Sequence, residues 1–156
     1  MTMTLESREV FNTLGVFCHL YIVFEDNDNS EFVIRGGPDL LEGDWFPFND
    51  SIACESGIPL VNSRDDRGLG GFRDPQVLDI GNRVDQDVWS IMVQLSISLD
   101  EQEFGYYPWQ NSNSVVTTVL RAVDINYPNP LPNPFFDYAG VRTVLSFNYN
   151  LTGTEG

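Results

Sequence analysis

Residues 109 to 123 read Trp109-Gln-Asn-Ser-Asn-Ser-Val-Val-Thr-Thr-Val-Leu-Arg-Ala-Val123, a polar run that passes directly into an apolar one. Each residue from Asn111 to Ser114 can cap a helix, because its side chain accepts a hydrogen bond from a backbone N–H group that lacks a partner within the helix. Apolar side chains then recur at helical spacing, at Val116, Leu120 and Val123. The pattern predicts an amphipathic helix that begins in the polar run and ends near Asp124, before the prolines that follow.

Four capping residues in succession also suit a chemical role. The N–H groups at the start of a helix point outward with the positive end of the helix dipole, so they can stabilise an oxyanion or an activated hydroxyl. A well-capped buried helix with no further role is the simpler interpretation, and residue types alone favour it.

The composition indicates one folded domain that carries a large negative charge. The chain has 156 residues, of which 42% are hydrophobic, and this suffices for a single core. Its formal net charge of -15 makes nucleic acid and anionic membrane surfaces poor partners. All 8 cationic side chains are arginines, so lysine Schiff-base chemistry is excluded.

No targeting or membrane-spanning segment is predicted. Residues Met1 to Phe11 are polar and do not form a signal peptide, and no apolar run reaches the roughly 20 residues that a spanning helix needs. We expect a soluble single domain over residues 1–156 with flexible ends at residues 1–12 and 152–156. Whether the chain stays in the cytoplasm or is exported without a classical signal peptide is left open.

The sequence predicts neither a metal site nor a cofactor. Cys18 and Cys54 lack the paired spacing of zinc ligands, and the sequence does not decide whether they form one bridge. The acidic turn from Asp26 to Ser30 is not followed by the glycine and the glutamate that a calcium-binding EF-hand needs. The run Gly68-Leu-Gly-Gly71 has no helix after it, so we reject a phosphate-binding loop.

Residues Leu14 to Phe24 are the strongest strand candidate. Their near-continuous apolar character indicates that both faces are covered, as in a central strand. One face is predicted to carry Val16, Cys18, Leu20, Ile22 and Phe24, and the other Phe17, His19, Tyr21 and Val23. A polar turn leads into a second strand, Glu31 to Arg35, which forms a hairpin with the first and ends at Gly36-Gly37-Pro38.

His19 is the only histidine of the chain, and it lies in the middle of the first strand. A lone strand histidine is more often a satisfied structural residue than a base, since an unpaired imidazole among apolar residues is costly. Histidine is nevertheless the side chain whose ordinary pKa suits proton transfer near neutral pH. The serine run at the helix start offers a hydroxyl on which it could act.

The order of these parts resembles the circularly permuted papain-like fold. The strand His19-Leu-Tyr-Ile-Val-Phe24, the hairpin end Val33-Ile-Arg-Gly-Gly-Pro38 and the late Gln-Asn-Ser-Asn-Ser-Val helix start are similar to the NlpC-type superfamily and its lecithin:retinol acyltransferase-like branch. The resemblance covers residues 17–38 and 106–125. The Asn-Ser-Asn-Ser start also resembles bacterial domains, some of which lie at the ends of large secreted or repeat-containing proteins.

The resemblance implies a hydrolase or acyltransferase that acts on an ester or amide bond. Ser112, after Asn111, stands where the family has its cysteine nucleophile, and His19 would be the base. Backbone N–H groups, with Asn111 or Asn113, would stabilise the oxyanion, and Ser114 would support the helix start as part of its cap.

The second strand carries the residues expected next to the base. Arg35 lies near the position opposite His19, but a cation is a poor orienting group because it disfavours the imidazolium form. Arg35 is better suited to binding a substrate carboxylate. Glu31 lies too far towards the turn, so the carboxylate of a catalytic triad is missing from the prediction.

The resemblance also favours a helix over residues 87–99, whose apolar positions fit a strand and a helix equally well. Residues 39–84 are rich in glycine and polar residues and are predicted to form a long ordered loop, with Arg64 to Arg67 at its surface. Residues 141–149 are a last strand candidate. Together these segments predict an α+β fold, with a small antiparallel sheet packed against helices.

Two other interpretations stay open. Serine in place of cysteine removes a nucleophile that is partly ionised at neutral pH, which also fits a non-catalytic binding or assembly domain on the same fold. A calcium-stabilised extracellular module is the third interpretation, and it rests only on clustered acids. The sequence predicts neither the substrate, which could be a small molecule, a lipid or a peptide, nor the oligomeric state.

Overall fold

The computed structural model describes residues 1–9, 18–39, 51–69, 73–107, 109–132 and 140–146. Its regular elements are β1 (Thr2–Glu9), β2 (Cys18–Glu25), β3 (Glu31–Pro38), β4 (Ile52–Pro59), β5 (Gln76–Val77), α1 (Asp85–Asp100) and α2 (Ser112–Ala122). Two single turns of 3-10 helix, Leu60–Asn62 and Arg67–Leu69, lie between β4 and β5.

The strands form one five-stranded antiparallel sheet in the order β4-β3-β2-β1-β5. β2 lies in the middle, as its apolar sequence predicts. The hairpin with β3 is confirmed, and its pairing runs from Glu25 opposite Glu31 to Tyr21 opposite Arg35. With two helices beside this sheet, the α+β class is confirmed, and α1 confirms the helical interpretation of residues 87–99.

The two faces of β2 have different surroundings, as its alternation predicts. One face joins both helices in the main core, which includes Leu20, Ile22, Val116 and Leu120. A smaller buried cluster on the other face consists of Tyr21, Val23, Val33 and Leu60. His19 belongs to this second face, because side chains two residues apart on a strand point the same way.

The N-terminal segment corrects one expectation. Residues 1–12 are predicted to be flexible, but Thr2–Glu9 is a strand that pairs with β2 along its whole length and with β5 at Thr4 and Leu5. Met3 and Leu5 fill the main core, while Glu6 is buried against Arg67. A strand with so few apolar residues gives a weak alternation, and that is why it is overlooked. Residues 152–156 lie outside the described part.

The predicted loop over residues 39–84 is also wrong in part, because it contains β4 and β5. β4 is an edge strand whose side chains are mostly half-exposed, so its sequence Ile-Ala-Cys-Glu-Ser-Gly-Ile-Pro lacks a continuous apolar run. The sequence predicts that the second strand ends at Gly36-Gly37-Pro38. In the structure β3 includes these three residues, because β4 pairs with them. Residues 141–146 contain no strand, and residues 147–149 of that candidate lie outside the described range.

The capped helix is confirmed. α2 begins at Ser112 with Asn111 as its N-cap, and it ends at Ala122, close to the predicted end. The Asn111 side chain accepts from the Asn113 N–H at 2.9 Å, and the Asn111 N–H donates to the Ser114 hydroxyl at 3.1 Å. These reciprocal bonds satisfy groups that the helix itself leaves unpaired.

Candidate functional site

The site lies at the end of the sheet where the pairing of β2 with β3 stops. Beyond Tyr21 and Arg35 the Asn113 side chain takes the place of a neighbouring strand. Its Oδ1 accepts from the Leu20 N–H at 2.8 Å, and its Nδ2 donates to the Cys18 carbonyl at 3.1 Å. These two peptide groups flank His19, so Asn113 fixes the first turn of α2 beside the only histidine of the chain.

Gly36 lets the start of α2 approach the sheet this closely. A Cβ atom at Gly36 would lie 3.0 Å from Ser112 Cα, 3.1 Å from the Ser112 carbonyl oxygen and 2.7 Å from a methyl of Val115. Because Gly36 is next but one to Ile34 in β3, it faces the main core. Ser112 therefore approaches this end of the sheet from the helix side, whereas His19 lies on the opposite face.

His19 is held by a buried carboxylate. His19 Nε2 lies 3.0 Å from Asp65 Oδ2, and the two side chains are 10% and 2% exposed. A carboxylate only accepts hydrogen bonds, so in the neutral form of His19 the proton is on Nε2 and the lone pair is on Nδ1. Within the described residues, Nδ1 has no hydrogen-bond partner.

Asp65 is a candidate site residue that the sequence does not indicate. It lies in the stretch Arg64 to Arg67, predicted as plain surface loop, and is separated from His19 by 46 positions. The Ser63 hydroxyl accepts from the Asp65 N–H at 3.0 Å, and Arg73 donates to the Asp65 carbonyl at 2.6 Å. The sequence signal is Ser63 followed by Asp65, a spacing that is typical of a local turn held by a serine side chain. This spacing does not indicate that Asp65 contacts His19.

The charge of Asp65 is stabilised by its neighbours. Arg35 Nε donates to the same Oδ2 atom at 2.6 Å, and Arg8 lies 3.9 Å from Oδ1. Burial raises the pKa of Asp65, but the charges and hydrogen bonds of His19 and Arg35 outweigh it and hold the pKa well below its usual range. Asp65 is thus ionised throughout the neutral range and can stabilise a positive charge on His19.

Arg35 is engaged inside the protein. Besides its bond to Asp65, its Nη1 lies 3.4 Å from Glu55 Oε2, and the residue is only 7% exposed. These contacts correct the expectation of an open grip for a substrate carboxylate, because the guanidinium already serves two internal carboxylates.

Ser112 is buried, with 7% of its surface exposed. No hydrogen bond joins Ser112 to His19 across the described site. Ser114 takes part in the helix cap, as its sequence position predicts, and also donates to the Gly140 carbonyl at 3.2 Å. The Asn111 side chain takes part in the helix cap, and the Asn113 side chain bonds to the backbone of β2.

The two cysteines have different surroundings. No disulfide bond joins Cys18 to Cys54 in the described structure. Cys18 is buried in the main core. Burial, together with the nearby Asp100, raises the pKa of Cys54 to about 12, so its reactive thiolate is scarce at neutral pH.

Across the ranges that the structure describes, no group of three or more His, Cys, Asp or Glu side chains is arranged to hold a metal ion. Neither α1 nor α2 is long and apolar enough to cross a membrane.

Comparison of the chain with family models, curated proteins and solved structures finds no match.

Proposed function

We propose that this protein is a serine hydrolase or acyltransferase that acts on an ester or amide bond. Ser112 is the nucleophile, His19 is the general base, and Asp65 orients His19 and stabilises its positive charge. The observation that carries the proposal is the 3.0 Å contact between His19 Nε2 and Asp65 Oδ2. It supplies the carboxylate that the second strand lacks, and it leaves Nδ1 available for the proton of a serine.

The proposed reaction has two stages. Ser112 Oγ attacks the carbonyl carbon while His19 Nδ1 takes the hydroxyl proton, and the Ser112 N–H donates to the developing oxyanion. His19 then returns the proton to the leaving group, and water or an acceptor alcohol or amine releases the acyl group. One backbone donor to an oxyanion is typically worth about 3 kcal/mol in the transition state.

The permuted papain-like arrangement is part of the same proposal. The strand that carries His19 precedes the helix that begins at Ser112, and the Asn113 side chain connects the two at one end of the antiparallel sheet. The chain differs from the resembled pattern at two points. It has Ser112 in place of cysteine, and its orienting acid comes from the segment after β4 instead of β3.

A fluorophosphonate probe tests the proposal, because it traps activated serines without requiring the substrate. We expect one phosphonyl group per chain, located on Ser112 by peptide mapping. Ser112→Ala should abolish labelling, while Ser114→Ala should keep it and lower the stability by about 1 kcal/mol through the weaker cap. Labelling of another residue, or equal labelling of the Ser112→Ala variant, would refute the assignment.

A non-catalytic binding or assembly domain is the second candidate. The observation in its favour is that Ser112 and His19 are not hydrogen-bonded to each other, although catalytic contacts are often loose before substrate binds. A protein that labels with no fluorophosphonate and cleaves nothing in a broad ester and amide screen would support this candidate over the hydrolase.

A further inference from the structure

The guanidinium of Arg35 and the imidazole of His19 share one carboxylate oxygen. Arg35 Nε donates to Asp65 Oδ2 at 2.6 Å, and His19 Nε2 lies 3.0 Å from the same atom. Both contacts are buried, since the side chains of Arg35 and Asp65 are 8% and 2% exposed. Solvent screens buried charges poorly, so Asp65 divides its negative charge between the two groups, and each weakens the attraction of Asp65 for the other.

The neighbouring strands hold Arg35 in this position. It lies opposite Tyr21 in β2 and opposite Glu55 in β4, so its side chain is on the face of the sheet that carries His19. Arg35 Nη1 forms an ion pair with Glu55 Oε2 at 3.4 Å. Gly37 leaves room for the guanidinium, because a Cβ atom there would lie 3.2 Å from Nη1. The guanidinium is therefore held between two carboxylates.

A buried carboxylate beside a histidine has two effects on a general base. It orients the ring, and it also stabilises the imidazolium form, which cannot accept another proton. With Asp65 as its only charged neighbour, His19 would keep its proton to higher pH and be a poorer base near neutral pH. Arg35 opposes the second effect and preserves the first, because it withdraws charge from Asp65 Oδ2 and its own charge disfavours a second cation nearby.

The other charged and titratable groups described around His19 act less directly. Arg8 lies opposite His19 in β1, but it approaches the second oxygen of Asp65 only to 3.9 Å and is a quarter exposed. The Tyr21 ring stacks on His19 at a centroid distance of 5.9 Å, and burial raises the pKa of Tyr21 well above its usual range, so this neighbour is neutral. Two charged residues bond to the Tyr21 hydroxyl on this face, Glu6 and Arg73. Arg35 is the cation with the shortest described contact to the oxygen that His19 touches.

We propose that Arg35 is a positioning residue, which holds Asp65 against His19 and keeps His19 neutral, and so able to accept the Ser112 proton, to lower pH than Asp65 alone would allow. The proposal rests on the proposed role of His19 as the general base. No bond to Arg35 forms or breaks. The Ser112 proton passes to His19 Nδ1 and then to the leaving group, while Arg35 keeps its charge throughout.

The titration of His19 tests the proposal. His19 is the only histidine of the chain, so a proton NMR titration follows one imidazole without competing signals. Arg35→Gln removes the charge, and the midpoint of that titration should rise by about 0.5 to 1.5 pH units. If that chain does not fold, Arg35→Met is the second neutral variant, with the same expected rise. Arg35→Lys keeps the charge and should recover at least about half of the shift.

Arg64→Gln is the matched control. It removes the same charge from a residue that contacts Glu55 at 3.8 Å but, among the described contacts, not the carboxylate of Asp65. Its midpoint should stay within about 0.3 pH units of the parent, because Arg64 is half exposed and solvent screens its charge. The pH at which phosphonylation of Ser112 is half-maximal should follow the NMR midpoint, rising in Arg35→Gln and staying in place in Arg64→Gln.

The outcomes distinguish the two proposals. A midpoint that is unchanged or lowered in the neutral Arg35 variants overturns the role of Arg35 and leaves the hydrolase proposal intact. An equal rise in Arg64→Gln also overturns it, since the shift would then come from the net charge of the chain. A parent chain that does not label at Ser112 refutes the proposed function itself, and the role of Arg35 in the reaction falls with it.

Discussion

At the residue scale, one carboxylate oxygen of Asp65 contacts both His19 and Arg35. It lies 3.0 Å from His19 Nε2 and 2.6 Å from Arg35 Nε in a buried position. Removing one member of a buried charged group is costly, because the remaining charges stay away from water without a partner. Asp65→Asn should therefore lower the free energy of unfolding by about 3 kcal/mol in urea denaturation.

Asp66→Asn is the matched control for this change. Asp66 is the adjacent residue, and its carboxylate accepts only a local bond from the Gly68 N–H at 3.0 Å among the contacts described. The control should cost less than about 1 kcal/mol. Equal losses for the two variants would show that the buried network does not depend on the charge of Asp65.

The lowered pKa of Asp65 also predicts how stability depends on pH. A carboxyl group whose pKa is lower in the folded chain than in the unfolded one stabilises the fold above the unfolded value, which is about 3.9 for Asp. This stabilisation is lost as the pH falls below that value. The parent should thus lose stability between about pH 5 and pH 3 more steeply than Asp65→Asn. Parallel stability curves for the two chains would contradict the assignment.

Residue roles were predictable from the sequence where they depend on neighbours in the chain. The run from Asn111 to Ser114 predicted its own helix start, because capping bonds join residues two or three positions apart. The partner of His19 was not predictable in this way. The contact spans 46 positions, and nothing in the local pattern around Asp65 distinguishes it from an exposed aspartate.

At the element scale, the close approach of α2 to β3 depends on Gly36. A methyl group there would meet the backbone of Ser112, which cannot rotate away, and the buried side chain of Val115. Gly36→Ala should destabilise the chain by about 1–3 kcal/mol, as overpacking does, and it should slow phosphonylation by displacing the start of α2.

Gly37→Ala provides the comparison for Gly36→Ala. A Cβ at Gly37 would meet only the guanidinium of Arg35, at 3.2 Å, so it tests substitution in the same strand without touching α2. Stability measured by thermal unfolding should fall less than in Gly36→Ala. A larger loss for Gly37→Ala would contradict the packing described for α2.

The hydrogen bonds of the Asn113 side chain to the backbone of β2 lead to a separate prediction. Asn113→Ala leaves the Leu20 N–H and the Cys18 carbonyl without the partners described for them. Each buried group that loses its partner costs about 1–3 kcal/mol, so the variant should lose at least about 2 kcal/mol in urea denaturation. An ordinary surface substitution changes the stability by up to about 0.5 kcal/mol. A loss smaller than this would show that water replaces the Asn113 amide and that its two hydrogen bonds are dispensable.

Elements were predictable in proportion to their apolar content. β2 and α2 carry long apolar patterns and were assigned correctly, whereas β1 and β4 bury one face with few apolar residues. β1 is ordered by pairing on both sides, and β4 by pairing with β3. Such pairing is a property of the assembled sheet, so the sequence of each strand alone gives only a weak signal.

At the scale of the whole molecule, three parts of the chain converge on one end of the sheet. β2 contributes His19, the segment after β4 contributes Asp65 over one face, and the start of α2 contributes Ser112 from the other. In a chain with a net charge of -15, four arginines contact acidic side chains around Asp65, namely Arg8, Arg35, Arg64 and Arg67. The local charge is therefore far closer to balance than the chain as a whole, and a buried carboxylate is tolerated there.

The most direct test of the proposed triad is a cycle of phosphonylation rates at Ser112 in the parent, His19→Ala, Asp65→Asn and the double variant, each measured on folded protein. His19→Ala should slow labelling by about 10²- to 10⁴-fold, as the loss of a general base does. Asp65→Asn should slow it by at least about 10-fold. Because Asp65 acts through His19, the double variant should be no slower than His19→Ala alone. Full additivity of the two effects, or an unchanged rate in His19→Ala, would contradict a Ser112–His19–Asp65 triad.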